Sequence, residues 1–240
     1  MKLRDKVSPE EWQARVDLAA CYRLIAYYEM TDLTFTHISA RIPGQPDHFL
    51  LNPFGMMFEE ITASSLVKTS MDGAIDKDGP YEYIPAGYTI HSAVLAARPD
   101  VNCVLHTHTT AGMAVSSLEC GLLPMTQTAL RFYGNIAYHD YEGVALDLDE
   151  RTRLSRDLGK QQSMILKNHG LLTAGRSIAE AFVLMHRLET ACRAQIQALS
   201  TGQKPIQLSE AVKEHTAKQF NAMAFSNGPV YGDREWPSLC

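Results

Sequence analysis

The spacing of apolar and polar positions changes rhythm along the 240 residues, and each change marks an element. Ser8-Pro9-Glu10-Glu11 is a capping box with proline at the first helical position, which predicts a helix from about Pro9 to Met30. Trp12, Val16, Ala19, Ala20, Arg23, Leu24 and Tyr27 would form its mostly apolar face. Short β-branched and aromatic runs follow: Thr34 to Arg41, His48 to Asn52, and Leu66 to Met71 before an Asp72-Gly73 turn. These read as neighbouring strands of an antiparallel sheet. Ala86 to Arg98 returns to helical spacing with Ile90, Ala93, Val94 and Ala97, and stops at Pro99. A strand is predicted over Val101 to His106, a helix over Thr110 to Glu119, and a strand over Asn135 to His139. A helix over Asp149 to Leu158, ended by Gly159, precedes a buried strand over Ser163 to Lys167. A second capping box, Ser177-Ile178-Ala179-Glu180, opens a long helix to about Ser200, and a last helix runs from Ser209 to Phe225. The order predicts a mixed α/β sheet covered by helices, without the regular alternation of a doubly wound fold.

No Ser/Gly-rich or Pro-rich linker interrupts the pattern, so one domain is expected over 1–240, with a core of about 12–200 and a C-terminal helical extension of about 205–240. The net charge is −5, and acidic and basic residues are interspersed. Without a basic tract, nucleic acid is not an expected partner. No uncharged apolar stretch approaches the length of a membrane span, and the charged start lacks an export segment, so a cytoplasmic protein is expected. Five cysteines without a CxxC pair read as reduced thiols, four of them buried.

Chemistry enters at His106-Thr107-His108, where the apolar run Val101 to Leu105 stops. Two imidazoles spaced i, i+2 on extended backbone leave the same face, and their nitrogens suit a borderline divalent metal such as Zn²⁺. Met164 to Gly170 repeats the arrangement, with an apolar strand delivering His169 into a glycine turn as the third candidate ligand.

Taken together, Arg98-Pro99-Asp100-Val101 through His108, Asn168-His169-Gly170, His37-Ile38-Ser39-Ala40-Arg41 and Asn52-Pro53-Phe54-Gly55 resemble the class II aldolase/adducin family. The resemblance covers roughly Trp12 to Leu199. It implies a three-layer α/β/α fold around a mainly antiparallel sheet, a homo-oligomer (tetramer or larger) with sites at subunit boundaries, and a small-molecule substrate. It also implies His106, His108 and His169 as ligands of a divalent metal, Zn²⁺ first, with Mn²⁺ and Fe²⁺ as alternatives. A metal on three neutral histidines keeps its full charge and can stabilise an enolate-like carbanion in aldol cleavage or decarboxylation.

The departures from the family narrow the expectation. Sugar-phosphate aldolases of the family carry an acid/base residue nineteen positions before the first ligand, where this chain has Gly87, and their phosphate-binding serine pair and Gly-Asn pair become Pro85-Ala86 and Thr36-His37. The expected reaction is therefore carbon–carbon lysis on a small unphosphorylated hydroxy or keto acid. His37, when protonated, and Arg131 are candidates for holding a carboxylate, and Tyr141 is a third candidate catalytic residue. Packing and catalytic roles both stay open for His91, and Glu119 and Glu142 are candidates for the missing base. Two other functions stay open. Gly121 to Pro124 and Tyr138 to Tyr141 resemble the adducin head, which implies an assembly module with a vestigial metal site. An open three-histidine site also fits an Fe²⁺-dependent oxygenase.

Overall fold

The computed structural model describes residues 2–74, 81–83, 85–143, 149–224 and 231–240. Helix α1 (Pro9–Tyr27) starts where the first capping box predicts, with the Ser8 side chain accepting from the Glu11 N–H. Strands β1 (His37–Ile42), β2 (Gln45–Leu51) and β3 (Val67–Ser70) follow. After them come α2 (Pro85–Ala97), β4 (Cys103–Thr107), α3 (Thr110–Ser116) and the short α4 (Gln127–Leu130). Next are β5 (Ala137–His139), α5 (Glu150–Leu158), β6 (Ser163–Leu166) and β7 (Gly170–Gly175). Helices α6 (Ile178–Ser200), α7 (Glu210–Ala224) and α8 (Trp236–Leu239) complete the order. The predicted end of the last long helix, Phe225 to Gly228, lies outside the described residues.

Among the described residues the strands form one sheet in the order β3-β2-β1-β4-β7-β6-β5, antiparallel except for the parallel pair β5–β6. Strand alternation divides the core between the two faces. Cys103 and Leu105 of β4, Ile165 of β6 and Leu171 of β7 pack with α1, α3 and α6. Val104, Met164, Leu166 and Leu172 point the other way, onto Ile90 and Val94 of α2 and Leu154 and Leu158 of α5. This is the three-layer α/β/α arrangement, with β4 central in the sheet and apolar on both faces. Among the described residues, no helix is long and apolar enough to cross a membrane.

Three expectations need correction. The buried face of α1 is Glu11, Arg15, Leu18, Ala19, Cys21, Tyr22 and Ile25, which keeps Ala19 of the predicted face, whereas Val16 and Tyr27 are exposed. An ion pair explains the difference: Arg15 donates to Glu11 at 3.0 Å and to the Leu66 carbonyl at 2.9 Å, so two charged residues satisfy each other inside the core. Hydropathy counts them as surface. The stretch after His169, read as a turn, enters a full strand, β7. Three cysteines are buried (Cys21, Cys103, Cys192) rather than four; Cys120 and Cys240 are exposed thiols.

Candidate metal centre

The end of β4 brings His106 and His108 to one side, and the β6–β7 connection brings His169 to meet them. His106 Nε2 lies 2.8 Å from His108 Nε2, which lies 2.9 Å from His169 Nε2. One ligand-capable atom from each ring falls within 4.8 Å of the others.

The far side of two rings decides which nitrogen faces inward. His106 Nδ1 sits 2.9 Å from the Leu171 carbonyl oxygen, and a carbonyl only accepts, so Nδ1 carries the hydrogen. His108 Nδ1 donates in the same way to Asp32 Oδ2 at 2.8 Å. With both rings neutral, the two Nε2 atoms would be lone-pair donors aimed at each other, an arrangement that a cation between them would satisfy. Burial, and then the neighbouring His169, holds the His106 pKa well below its ordinary value. Burial, and then His108, lowers His169 to about 4. Neutral imidazoles with fixed tautomers are the donor set that a borderline divalent ion takes, and Asp32 supplies the carboxylate–histidine support such sites use. Tetrahedral bonds of about 2.0–2.1 Å need donor atoms roughly 3.3 Å apart, so the rings would spread by about half an ångström.

Backbone geometry makes the convergence feasible. The turn itself is made by Asn168, at φ +56°, whose N–H donates to the Ser116 carbonyl at 2.9 Å; asparagine tolerates the left-handed region better than most residues. Gly170 serves close approach: a Cβ there would overlap the Thr107 carbonyl oxygen and press on the His106 and His108 rings. Thr109 caps α3 directly after the pair and also donates to the buried Glu189.

His37 stands directly across from His106 in the β1–β4 pairing, so the two side chains leave the same sheet face. Burial, and then His108, pushes its pKa down to about 3, a direction that disfavours the protonated form expected of a carboxylate binder. The residue before it, Thr36, is buried at φ +68° with its hydroxyl unpartnered. A β-branched side chain in that region costs about 1–3 kcal/mol, a strain that clusters at functional sites. His91 of α2 is fully buried, bonds Ser39 Oγ through Nδ1 at 2.7 Å, and lies edge-on to His37 with centroids 5.9 Å apart.

The remaining candidates separate. Tyr141 is at the centre's edge, half exposed, its ring centroid 6.4 Å from that of His169. Arg131 does not reach the histidines within this chain. Its guanidinium lies between Phe220 (4.3 Å) and Tyr231 (4.1 Å), beside Ser163 at the opposite end of β6 from His169. Stacking on two rings of the C-terminal segment makes it a clamp for that segment. Glu142 is bound to Arg153 at 2.8 Å and Glu119 is exposed beyond α3. Sequence reasoning missed Asp32, which sits 76 residues from its partner and follows no local pattern.

Comparison with known proteins identifies the family and the fold. The family profile "Class II Aldolase and Adducin N-terminal domain" matches residues 16–196. The crystal structure of an aldolase II superfamily protein from Pseudomonas syringae is 49% identical, with a TM-score of 0.93 over 100% of this chain and 95% of that one. L-fuculose 1-phosphate aldolase from Glaciozyma antarctica PI12 is 31% identical, with a TM-score of 0.79 over 88% of this chain and 82% of that one. Alpha-adducin from Mus musculus is 44% identical over 194 residues, which are 80% of this chain and 26% of that protein.

Proposed function

Because the chain belongs to the class II aldolase and adducin family, we propose that it is a metal-dependent carbon–carbon lyase, of aldolase or decarboxylase type, acting on a small unphosphorylated hydroxy or keto acid. The observation that carries the reading is the convergence of His106, His108 and His169, with two of the three rings turned lone pair inward by their outer partners.

A divalent ion held there, Zn²⁺ or alternatively Mn²⁺ or Fe²⁺, supplies a Lewis acid that polarises a substrate carbonyl or carboxylate and stabilises the enolate-like charge left when the carbon–carbon bond breaks. The protein's own groups do the rest. Leu171 and Asp32 fix the tautomers and orientations of His106 and His108. Tyr141 stands at the exposed edge beside His169, where its hydroxyl would bond or exchange a proton with the part of the substrate remote from the ligands. His37 leaves the same sheet face as His106, where its ring nitrogens would be available to a substrate group.

Large apolar side chains on the segment that carries Asp32, Tyr27, Leu33 and Phe35, are 78%, 67% and 52% exposed. They suit burial against a second copy of the chain and support the homo-oligomer of the family. A cytoplasmic location is part of the same reading, consistent with free thiols.

Elemental analysis with a screen of hydroxy and keto acids tests the proposal. Wild-type protein should carry about one divalent metal per chain, and His106→Ala, still folded, should lose metal and turnover together. The 44% identity to alpha-adducin supports a second reading, an assembly module. Unchanged assembly in His106→Ala, with no turnover by wild type on any screened acid, would favour that module. Activity confined to aerobic, Fe²⁺-loaded protein would indicate an oxygenase instead.

A further inference from the structure

The neighbourhood of His37 contains more than the lyase reading uses. His37 is 6% exposed, yet among the described residues neither ring nitrogen has a hydrogen-bond partner. His91 is fully buried, and its Nε2 also lacks a partner among the described residues while Nδ1 holds Ser39 Oγ. Buried polar atoms are normally paired, so three such nitrogens on two adjacent rings point to a ligand. The rings also occupy a particular volume. A Cβ built on Gly87 would lie 2.6 Å from Cγ and Cδ2 of His37 and 2.7 Å from Nδ1, closer than a real Cβ approaches. Gly87 and His91 stand one turn apart on α2, and His37 reaches over both from β1. A ring at 37 and a side chain at 87 therefore exclude each other. The absent side chain at 87 and the presence of His37 are one structural fact.

We propose that the imidazole of His37 takes the space of the missing side chain at position 87 and, with His91, forms a subsite for one uncharged hydroxyl or carbonyl oxygen of the substrate beside the three-histidine centre. The inference deepens the lyase reading and rests on it. An imidazole offers one N–H donor and one lone pair, which matches a hydroxyl. A phosphate presents several anionic oxygens and draws cationic side chains or arrays of N–H donors. The substrate class narrows accordingly to a metal-chelating hydroxy or keto acid that bears a further neutral oxygen.

Three probes separate the contributions on the zinc-loaded protein by titration calorimetry. Acetohydroxamate chelates zinc alone, glycolohydroxamate adds one neutral hydroxyl, and phosphoglycolohydroxamate adds a phosphate there. Glycolohydroxamate should bind about tenfold more tightly than acetohydroxamate, as one added hydrogen bond allows. Its phosphorylated form should bind more weakly than glycolohydroxamate. The tenfold gain should vanish in His37→Phe, which keeps a ring of similar size without nitrogens, and in His91→Gln should either variant alone prove unstable. Equal binding of the first two probes would mean that the nitrogens serve water or packing, and would overturn the proposal, as would tighter binding of the phosphorylated probe. Failure of acetohydroxamate to bind would overturn the metal reading and this inference with it. A thermal-unfolding cycle tests the shared volume without any metal. Gly87→Ala should lower the melting temperature in wild type and have little effect in a His37→Ala background. An equal drop in both would refute the exclusion between positions 37 and 87.

Discussion

Asp32 determines how one ring of the centre is presented, because its carboxylate fixes the outer nitrogen of His108. Outer carboxylates of this kind typically contribute 10–100-fold to metal affinity. Asp32→Asn should therefore weaken zinc binding by about that factor in a chelator competition, with the fold retained; unchanged affinity would show that His108 is oriented by packing alone. Burial also leaves a pH signature at His37, held at about 3, and at His91, lowered well below its ordinary value. Below pH 6.5 the unfolded chain takes up protons that the folded protein excludes. Stability is then complete above pH 6.5 and falls as the pH drops toward 3, by up to about 1.4 kcal/mol per pH unit for each excluded proton. Urea unfolding of the metal-free protein at pH 7.5 and 5.5 should show this loss, and His37→Phe should reduce it; a flat profile would contradict neutral burial. The three converging histidines could be read from sequence because they stand where apolar runs end, a pattern local to a few residues. Asp32 could not, since its contact with His108 exists only after α1 and β4 are placed. Arg131 is the contrasting case: a suitable side chain close in sequence to Tyr141 that packing within the chain directs to Phe220 and Tyr231.

Elements hold these residues in register. The Glu11–Arg15 pair on α1 is almost completely buried and extends to Lys68 of β3 at 3.4 Å, joining the first helix to the sheet edge. Removing one partner strands a charge, so Glu11→Ala should cost about 3–5 kcal/mol in urea unfolding; a loss below about 1 kcal/mol would mean that water reaches Arg15. Strand β7 approaches β4 so closely at Gly170 that an added methyl group meets backbone. Gly170→Ala should separate the strands beside the histidines and lower both melting temperature and zinc affinity, and normal values for both would refute the close approach. Capping boxes made the starts of α1 and α6 legible, and the strand runs at β1 to β3 gave an antiparallel group, as found. Hydropathy failed on α1 because a satisfied ion pair counts there as surface. It failed on β7 because a glycine after a histidine resembles a turn, whereas the turn belongs to Asn168.

The chain as a whole places its candidate chemistry at the end of a central strand, roofed by α2 on the face where His37 and His106 stand together. The loop bearing Asp32 also carries Leu33 and Phe35 to the surface, so the candidate centre and the proposed subunit contact would share one segment. Analytical ultracentrifugation should show an oligomer for wild type and smaller species for Phe35→Glu. An unchanged assembly would move the interface elsewhere. Family resemblance carried the fold class in sequence, because its motifs lie at strand ends that the topology fixes, but it did not name the substrate, since residues such as His37 depart from the pattern. The most direct test of the central claim is turnover of an active hydroxy or keto acid by metal-free protein as zinc is returned. The account predicts no turnover at the start and a linear rise that breaks at about one zinc per chain. Full turnover without metal would contradict it.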